Sequence, residues 1–272
     1  MRKRLLLVVA LVLVVLLTVF ISFNIKKLPF RAPFKTSNNT SASALVARAS
    51  ELEAMGNLVE ANAIYQQLIN EFTNSAEVAN WQKKAQDCNI KILFSSIVTP
   101  KCVVYTIKPG DSLAKIAREF KTTPELLMKS NNISGDKIFV GRKIRVWNAP
   151  FNILVDKSQN ILILKSDEDI IKTYVVSTGA NNSTPVGTFK IVNKLSHPTW
   201  FKAGAVVEPG SPENILGSRW LGISLPGYGI HGTTEPASLG KQATKGCVRM
   251  ANPEVEELYA IVPEGTEVVV ID

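Results

Sequence analysis

The first hydrophobic feature of the chain is an unbroken apolar run near its start. Leu5 to Phe23 carry no charge over nineteen residues, and three basic residues precede them. About 20 apolar residues are long enough to cross a bilayer as a helix, whereas a cleavable signal peptide has a shorter core and a small-x-small site. We predict a membrane anchor over residues 1–27 with its N-terminus in the cytoplasm, with a cleaved signal peptide as the alternative. In both cases the bulk of the chain is expected outside the cytoplasm.

After the anchor, residues 28–43 are rich in Pro, Ser, Thr and Asn, which predicts a flexible linker. From 44 to 98 the apolar spacing becomes helical, with repeats of three, four and seven. The apolar positions are Leu45, Leu52, Met55, Leu58, Ala61, Ile64, Tyr65, Leu68 and Phe72. Gly56-Asn57 predicts a turn between two helices, and a third helix is expected from Ser75 to about Ser95. The segment resembles a single tetratricopeptide unit. One unit is too short for a solenoid, so both a helical spacer and a hairpin that docks a protein partner are open.

A shorter pattern of strand, helix, helix and strand occupies residues 103–147. Apolar alternation predicts a strand before the Pro109-Gly110 turn and another over residues 138–146. Asp111 is predicted to cap the first helix, and Thr123 is predicted to cap the second.

These residues closely resemble the LysM family, whose small modules bind glycans that contain N-acetylglucosamine. The matching residues are Tyr105, Gly110-Asp111-Ser112-Leu113, Ile116-Ala117, Asn131-Asn132 and Gly141-x-x-Ile144. The resemblance implies glycan contacts at the two junctions between strand and helix. The implied contact residues are Gly110, Asp111, Ser112, Leu113 and Ile133. Each has a structural alternative as turn, cap or core, and for Leu113 a core position is favoured.

Short β-branched runs between turn residues predict that residues 150–272 are mainly β structure. The runs are 153–155, 161–164, 173–177, 187–192, 222–225 and 268–271. One helix is predicted over 253–261, with Asn252 as its N-cap and Pro253 at its first position. The whole chain is therefore predicted to be a multi-domain α+β protein: an anchor, a helical hairpin, a βααβ module and a mainly β domain. About 120 residues are enough for that last domain to bury a core of its own.

The charge of the chain is uneven and narrows the choice of partners. The chain has 31 Lys and Arg and 23 Asp and Glu, a net charge of +8. Residues 103–147 carry nine basic and four acidic residues, whereas residues 150–272 carry ten basic and thirteen acidic. The acidic excess argues against nucleic-acid binding by the C-terminal domain. The basic module suits an anionic polymer, although a solvated surface explains it equally well.

Export changes the interpretation of the three cysteines, because disulfides are permitted outside the cytoplasm. Cys88 and Cys102 lie at a junction between modules and either pair or remain two free thiols. Cys247 is then left over, as a reactive thiol or an intermolecular bridge. The two histidines and three cysteines are too few and too scattered for a zinc site, and no metal or other cofactor is expected.

The candidate chemistry lies in the stretch IHGTTEPASLGKQATKGCVRM, residues 230–250. A thiol attacks a carbonyl well only as the thiolate, which requires a lowered pKa or an adjacent imidazole. His231 ends a predicted strand, and the residues after it can loop out and return Cys247 to its side. Gly246 lets the main chain approach closely, as an oxyanion hole requires. The same two residues at this spacing also occur by coincidence, so the spacing alone leaves both interpretations open.

Other residues of this stretch have expected effects on the thiol. Lys245 and Arg249 add positive charge, which lowers the pKa of a thiol. The planar guanidinium of Arg249 also suits a carboxylate. No acidic residue flanks His231 closely, so no carboxylate that orients its ring is evident, and a backbone carbonyl is a candidate for that role.

The ordered motifs of residues 150–272 resemble the L,D-transpeptidase (YkuD-type) family. The signature residues are His231-Gly232-Thr233 and Thr244-x-Gly246-Cys247-Val248-Arg249-Met250. Four further matching stretches are 176–179, 184–189, 197–200 and 216–222. The resemblance implies a β-sandwich-like domain with the cysteine at the end of a groove.

The resemblance also implies a reaction. Cys247 attacks the bond between a diamino acid and the terminal D-Ala of a peptidoglycan tetrapeptide stem. D-Ala leaves, and the amine of a second stem resolves the thioacyl-enzyme into a 3→3 cross-link. His231 serves as general base and then as acid. Backbone N–H groups at Gly246 and Cys247 stabilise the oxyanion, Arg249 holds a substrate carboxylate, and Thr244 orients the loop.

The chain departs from the family at one position, where many members have a second histidine and this chain has Lys245. We therefore expect His231 to be the only base of the motif. The residues expected to border the substrate are Trp200, Tyr228, Gly232 and Lys245, with Trp220 as a further groove candidate. Core packing is the alternative for the aromatic ones, and His197 is either a substrate contact or structural.

The expected partners are peptidoglycan stem peptides and glycan strands, with the membrane held by the N-terminal helix. The expected location is the cell envelope, with the catalytic domain in the periplasm. An L,D-carboxypeptidase, in which water resolves the thioacyl-enzyme, is one alternative. A non-catalytic peptidoglycan-binding protein is the other, although the intact motif argues against it.

Overall fold

The computed structural model describes residues 41–272 except residue 203. The predicted anchor over 1–27 and nearly all of the linker lie outside the described residues. In the part that is described, no helix is long and apolar enough to cross a membrane.

Three helices come first: α1 (Ala42–Ala54), α2 (Leu58–Glu71) and α3 (Val78–Leu93). The predicted turn at Gly56 and the third helix are confirmed by these bounds. Gly56 has a φ of +78°, the left-handed conformation that glycine adopts most easily. The three helices bury one apolar cluster of their own, which includes Leu52, Tyr65 and Trp81. The likeness to a tetratricopeptide unit stays a prediction.

The next module has the predicted βααβ order: β1 (Cys102–Thr106), α4 (Leu113–Glu119), α5 (Pro124–Ser130) and β2 (Lys143–Trp147). Thr123 caps α5 as expected, since its Oγ1 accepts a hydrogen bond of 2.9 Å from the Leu126 N–H. The prediction that Asp111 caps α4 is wrong. Ser112 is the cap, accepting from the Lys115 N–H at 3.2 Å.

The C-terminal domain is built on one eight-stranded mixed sheet in the order β13-β11-β10-β7-β14-β3-β4-β5. Its strands are β3 (Phe151–Asp156), β4 (Ile161–Ser166), β5 (Asp169–Val175), β7 (Gly187–Ser196), β10 (Arg219–Ile223), β11 (Gly229–His231), β13 (Val248–Arg249) and β14 (Glu267–Ile271). Smaller pairs join β6 (Thr178–Gly179) to β12 (Gln242–Thr244) and β8 (Trp200–Lys202) to β9 (Ala205–Val207). The prediction of a mainly β domain is confirmed.

One helix, α6 (Asn252–Ile261), packs against the sheet near β10 and β11. The predicted helix is confirmed, but the prediction that Asn252 is its N-cap is wrong. Ala251 stands at that position, and in the described chain no side chain caps α6. The carboxamide of Asn252 is engaged elsewhere, beside the strand that carries His231.

Helix α3 closes the open edge of the large sheet, which the sequence pattern did not indicate. Gln86 Oε1 accepts from the Thr173 N–H at 3.1 Å. Asn89 Nδ2 donates to the carbonyls of Ile170 and Ile171 at 3.2 and 3.1 Å. An unpaired edge strand invites association with other chains, so these bonds protect β5. The helical segment is therefore part of the C-terminal domain's structure rather than a separate spacer.

The βααβ module is also tied to its neighbours by buried groups. Arg145 donates to the Leu93 carbonyl at 2.9 Å, and Thr123 Oγ1 bonds to the carbonyl of Ala260. Leu126 and Trp147 belong to the same apolar cluster as the large sheet. All three cysteines are described, and Cys88, Cys102 and Cys247 are free thiols. The alternative in which Cys88 and Cys102 form a disulfide is thus not the one that the structure adopts.

Candidate active site

The structure brings His231 and Cys247 to neighbouring strands. β11 and β13 run parallel, with Ile230 opposite Val248 and His231 opposite Arg249. Cys247 immediately precedes β13, two positions before Arg249, and alternate residues of a strand share one face. The fifteen residues between His231 and Cys247 leave the sheet and return to it, as expected for the connection between parallel strands.

The turn before Cys247 is held by a side-chain hydroxyl. Thr244 Oγ1 donates to the Cys247 carbonyl at 2.6 Å and accepts from the Gly246 N–H at 3.1 Å. Gly246 has a φ of +126°, and a Cβ there would lie 2.7 Å from Cε1 of Tyr228. Only glycine satisfies both the conformation and the close approach of the ring. Gly246 and Tyr228 therefore define the shape of the main chain around the thiol.

His231 is buried, with 3% of the residue's surface exposed. Its Nδ1 lies 2.7 Å from the Gly232 carbonyl oxygen. A carbonyl can only accept, so the neutral ring that bonds to the Gly232 carbonyl carries its proton on Nδ1. The Trp220 ring stacks on the imidazole, with centroids 5.9 Å apart and an interplanar angle of 20°. The backbone carbonyl that the sequence left as the orienting group is thus that of Gly232.

Burial lowers the pKa of His231 to about 4, and the positive charge of Arg249 acts in the same direction. Backbone hydrogen bonds with Gly232 and Ile215 oppose this shift in the pKa but are outweighed. The imidazole is therefore neutral at neutral pH, which is the protonation state that a general base requires.

The thiol of Cys247 is half-buried, and burial raises its pKa above the ordinary value for cysteine. A backbone hydrogen bond with Gly229 and the charge of Arg249 both act to lower the pKa, but burial prevails. The expected lowering of the pKa by the charge of Arg249 is thus present, but desolvation is the larger effect and the net pKa is raised. In the resting protein the thiol keeps its proton and donates it to the Gly227 carbonyl at 3.7 Å.

Arg249 is buried and already holds a partner. Its guanidinium donates to Glu235 Oε2 at 2.6 Å and to Ser238 Oγ at 3.0 Å. Its Nε is buried without a hydrogen-bond partner among the described residues. Glu235 and Ser238 lie in the connection between β11 and β12, so Arg249 fastens that connection over the strand ends.

The other residues expected at the site lie at different depths. Gly232 is buried beside His231, Tyr228 is half-buried against Gly246, and Lys245 is exposed on the turn. Trp200 is partly exposed on the hairpin of β8 and β9. His197 is exposed, has a φ of +49°, and its N–H donates to the Ser218 carbonyl at 2.9 Å.

The glycan-contact candidates of the βααβ module form an exposed turn with a buried base. Asp111 Oδ2 accepts from the Lys108 N–H at 2.8 Å and from the Tyr105 hydroxyl at 2.9 Å. Gly110 is exposed with a φ of +80°. Leu113 and Ile133 lie in the core of the module, which leaves only their backbone groups for contact with a ligand.

Two residues of the site were missed by the sequence analysis. Glu235 lies in a loop and was not singled out, although its sign and its position before Arg249 offered a weak signal. Asn252 was considered only as a helix cap. No group of three or more His, Cys, Asp or Glu suited to a metal ion occurs among residues 41–202 and 204–272.

Comparison with known families assigns both C-terminal modules. Residues 150–270 match the L,D-transpeptidase catalytic domain, YkuD. Residues 105–147 match the LysM domain. The first match contains His231 and Cys247, and the second contains the exposed turn at Gly110.

Two curated relatives match this chain over nearly all of their own length. The chain is 36% identical to YkuD of Bacillus licheniformis, a candidate L,D-transpeptidase by its name, over 174 residues that make up 61% of this chain and 97% of that protein. It is 34% identical to YkuD of Bacillus subtilis over 175 residues, or 62% of this chain and 98% of that protein. Among solved structures, an L,D-transpeptidase from Mycobacterium tuberculosis is similar with a TM-score of 0.40 and 18% identity, covering 49% of this chain and 63% of that chain.

Proposed function

The chain belongs to the L,D-transpeptidase family, and from that premise we propose that it forms 3→3 peptidoglycan cross-links through a thioacyl-enzyme on Cys247. The observation that carries the proposal is the parallel pairing of β11 and β13. This pairing sets the buried, neutral His231 beside the strand that Cys247 immediately precedes.

The reaction starts from a neutral pair rather than from a preformed thiolate. Cys247 Sγ attacks the carbonyl carbon of the bond between the diamino acid and D-Ala, and its proton passes to Nε2 of His231. The tetrahedral intermediate then collapses, and the D-Ala nitrogen leaves with that proton. The amine of a second stem attacks the thioester carbonyl and loses a proton to His231. The C–S bond then breaks, the new amide bond remains, and His231 returns that proton to Sγ. The low pKa of His231 means only that the ring is unprotonated at neutral pH and has a site for the proton.

The turn from Thr244 to Cys247 is the proposed oxyanion site. The backbone N–H groups of Gly246 and Cys247 are the proposed donors to the developing negative charge. In the resting protein the Gly246 N–H donates to Thr244 Oγ1, so Thr244 also orients the turn. The Cys247 N–H is then the proposed donor that binds the substrate oxygen without first breaking a hydrogen bond to Thr244.

The proposed binding of a substrate carboxylate by Arg249 has a condition. The Glu235 carboxylate already pairs with its guanidinium at 2.6 Å. A substrate carboxylate must displace Glu235 or share the guanidinium with it. Because the Glu235 side chain is 62% exposed, it can leave at little cost.

The LysM domain is proposed to hold glycan strands at the exposed turn formed by Gly110, Asp111 and Ser112. The uncharged run from Leu5 to Phe23 supports a place in the cell envelope with the catalytic domain outside the cytoplasm. The main proposed role of the helical segment is to support β5. Binding of a protein partner on its outer face is a second proposed role.

The product decides between the proposed reaction and its alternatives. We expect the full chain, incubated with disaccharide-tetrapeptides, to yield dimers with a 3→3 link, measured by tandem mass spectrometry. Tripeptides alone would indicate a carboxypeptidase, and unchanged substrate would refute both enzymatic activities. The full chain is used because α3 hydrogen-bonds to the edge of the catalytic sheet.

A second experiment tests the nucleophile. A carbapenem should leave a covalent mass adduct on the wild-type chain and none on Cys247→Ser. Cys102→Ser, which removes another partly exposed thiol, is the matched control and should retain the adduct. An adduct that persists in Cys247→Ser would exclude Cys247 as the nucleophile.

The glycan site is tested by placing a large side chain on the exposed turn. Gly110→Arg in the inactive Cys247→Ser background should reduce pull-down by purified sacculi relative to Cys247→Ser alone. Unchanged binding would place the glycan surface elsewhere on the chain.

A further inference from the structure

The carboxamide of Asn252 joins two segments of the active-site wall. Its Oδ1 accepts from the Ser218 N–H at 3.1 Å and from the Thr233 N–H at 3.0 Å. Its Nδ2 donates to the Thr233 carbonyl at 2.9 Å. A residue at the start of α6 thus fixes the main chain immediately after His231 and the loop before β10.

The bond to the Thr233 N–H has a consequence for the histidine. The C=O of Gly232 and the N–H of Thr233 belong to one planar peptide unit and point in opposite directions. Asn252 holds the N–H end of that unit, and His231 Nδ1 donates to the C=O end at 2.7 Å. Rotation of this peptide would break both hydrogen bonds together. Hydrogen bonds therefore connect Asn252 to His231 without a break, through the peptide group between residues 232 and 233.

Two glycines leave room for this arrangement. A Cβ on Gly217 or on Gly232 would overlap Oδ1 of Asn252. Gly217 also has a φ of +65°, where a side chain adds strain. The carboxamide therefore sits in a closed space between two main-chain segments, and its position is as well determined as theirs.

We propose that Asn252 is a positioning residue that holds the Gly232 peptide, so that His231 keeps its proton on Nδ1 and presents Nε2 to Cys247. Asn252 reaches the imidazole through one peptide group, in the place where a carboxylate orients the histidine of other triads. The role in turnover rests on the proposed function, whereas the effect on the histidine tautomer does not.

The direct test is the tautomer of His231. The chain has only two histidines, so the full chain labelled with ¹⁵N-histidine gives two ring systems in a long-range ¹H–¹⁵N spectrum. His197 serves as the internal reference. The wild type should show His231 as the Nδ1–H tautomer. Asn252→Ala should convert it to a mixture of tautomers or to the Nε2–H form, while the His197 signals stay in place.

A conservative variant separates positioning from simple loss of structure. Asn252→Asp keeps an acceptor for the N–H groups of Thr233 and Ser218, but it replaces the donor to the Thr233 carbonyl with a carboxylate oxygen that this carbonyl repels. It should keep the Nδ1–H tautomer of His231. If Asn252→Ala does not fold, Asn252→Ser, whose hydroxyl is too short to span both segments, takes its place. A wild-type tautomer in a folded Asn252→Ala or Asn252→Ser chain would overturn the proposal.

Kinetics provide the second readout. The value of kcat is expressed per active site, and the active sites are counted by titration with a carbapenem. Asn252→Ala should lower kcat by about 10- to 100-fold, the range typical for groups that orient a functional histidine, with KM nearly unchanged. Asn252→Asp should recover most of that loss. An unchanged kcat per titrated site would reduce Asn252 to a structural role. If the wild type itself forms no cross-links, the proposed function fails, and the tautomer experiment still decides the role of Asn252.

Discussion

The turns at Gly110 and Gly246 have the same ingredients and opposite surroundings. Each combines a glycine of positive φ with a nearby hydroxyl that accepts a backbone N–H: Ser112 in the LysM turn and Thr244 in the catalytic turn. Nothing lies within 4 Å of a Cβ built on Gly110, whereas Tyr228 lies 2.7 Å from one built on Gly246. The LysM turn needs glycine for its conformation alone, and the catalytic turn needs it for conformation and packing.

The difference reflects what each turn has to hold in place. The LysM turn is exposed and can adjust to a polymer. The catalytic turn is enclosed by Tyr228 and the ends of two strands, which keeps the Cys247 main chain in one arrangement. Preorganised donors are worth more when they need not move during the reaction. We therefore expect equal substitutions in the two turns to have unequal effects.

The largest difference is expected between Gly246→Ala and Gly110→Ala. Gly246→Ala forces a clash with Tyr228 and a strained φ, at a cost of about 3 kcal/mol, and should lower kcat by more than about 100-fold. Gly110→Ala, with strain alone, should cost about 1 kcal/mol and leave kcat unchanged. Urea unfolding and cross-linking assays measure both effects.

A compensating change tests the stated cause. Tyr228→Ala in the Gly246→Ala background removes the ring that the new methyl would strike. It should recover part of the stability lost in Gly246→Ala, and only the φ strain should remain. A double variant that is no more stable than Gly246→Ala would show that the clash is not the cause.

The pH dependence of stability should also differ between the two turns. His231 has a pKa of about 4 in the folded chain against 6.5 as its ordinary value. The unfolded chain therefore binds more protons between these values, and stability present above pH 6.5 is lost as the pH falls toward 4. The gap corresponds to about 3 kcal/mol. The urea midpoint of the wild type should fall as the pH is lowered from 7 to 4. The midpoint of His231→Gln should fall less over the same range.

In the LysM turn the corresponding group is Asp111, whose pKa is lowered chiefly by the hydrogen bond from the Lys108 N–H. The stabilisation from this bond is present above the ordinary pKa of an aspartate. It is lost at a lower pH than the stabilisation linked to His231. A wild-type slope between pH 4 and 6.5 that survives in His231→Gln would show that another group causes it.

A smaller effect is expected when the hydroxyls of the two turns are removed. Thr244→Val leaves the Gly246 N–H and the Cys247 carbonyl without their partner, which should cost about 2 kcal/mol and lower kcat by about tenfold. Thr244→Ser keeps the hydroxyl and is the matched control. Equal activity of Thr244→Val and the wild type would contradict the orienting role.

The smallest effect is expected for Ser112→Ala in the LysM turn. It removes the cap of α4, at a cost of about 1 kcal/mol, and should leave kcat unchanged. Denaturant unfolding and the cross-linking assay measure the two quantities. A loss of kcat in Ser112→Ala would show that the two turns are coupled rather than independent.

The sequence alone determined most of the elements and led to the proposed reacting pair. Apolar periodicity located the helices of the 44–98 segment, the βααβ module and most strands of the last domain, because these patterns depend on local spacing. The motif around Cys247 indicated the proposed nucleophile and its base, because each chemistry needs a particular residue type. The bounds of the elements were less well predicted: β10 begins at Arg219, three residues before the predicted run.

Only the tertiary structure decided how these parts support one another. The raised pKa of Cys247 depends on burial, which the charges of neighbouring residues in the sequence do not report. The capping of β5 by α3 joins residues more than eighty positions apart. Asn252 looked like a helix cap from its neighbours, yet its carboxamide binds Thr233 and Ser218. Each of these features arises from contacts between distant segments, and such contacts exist only once the chain has folded.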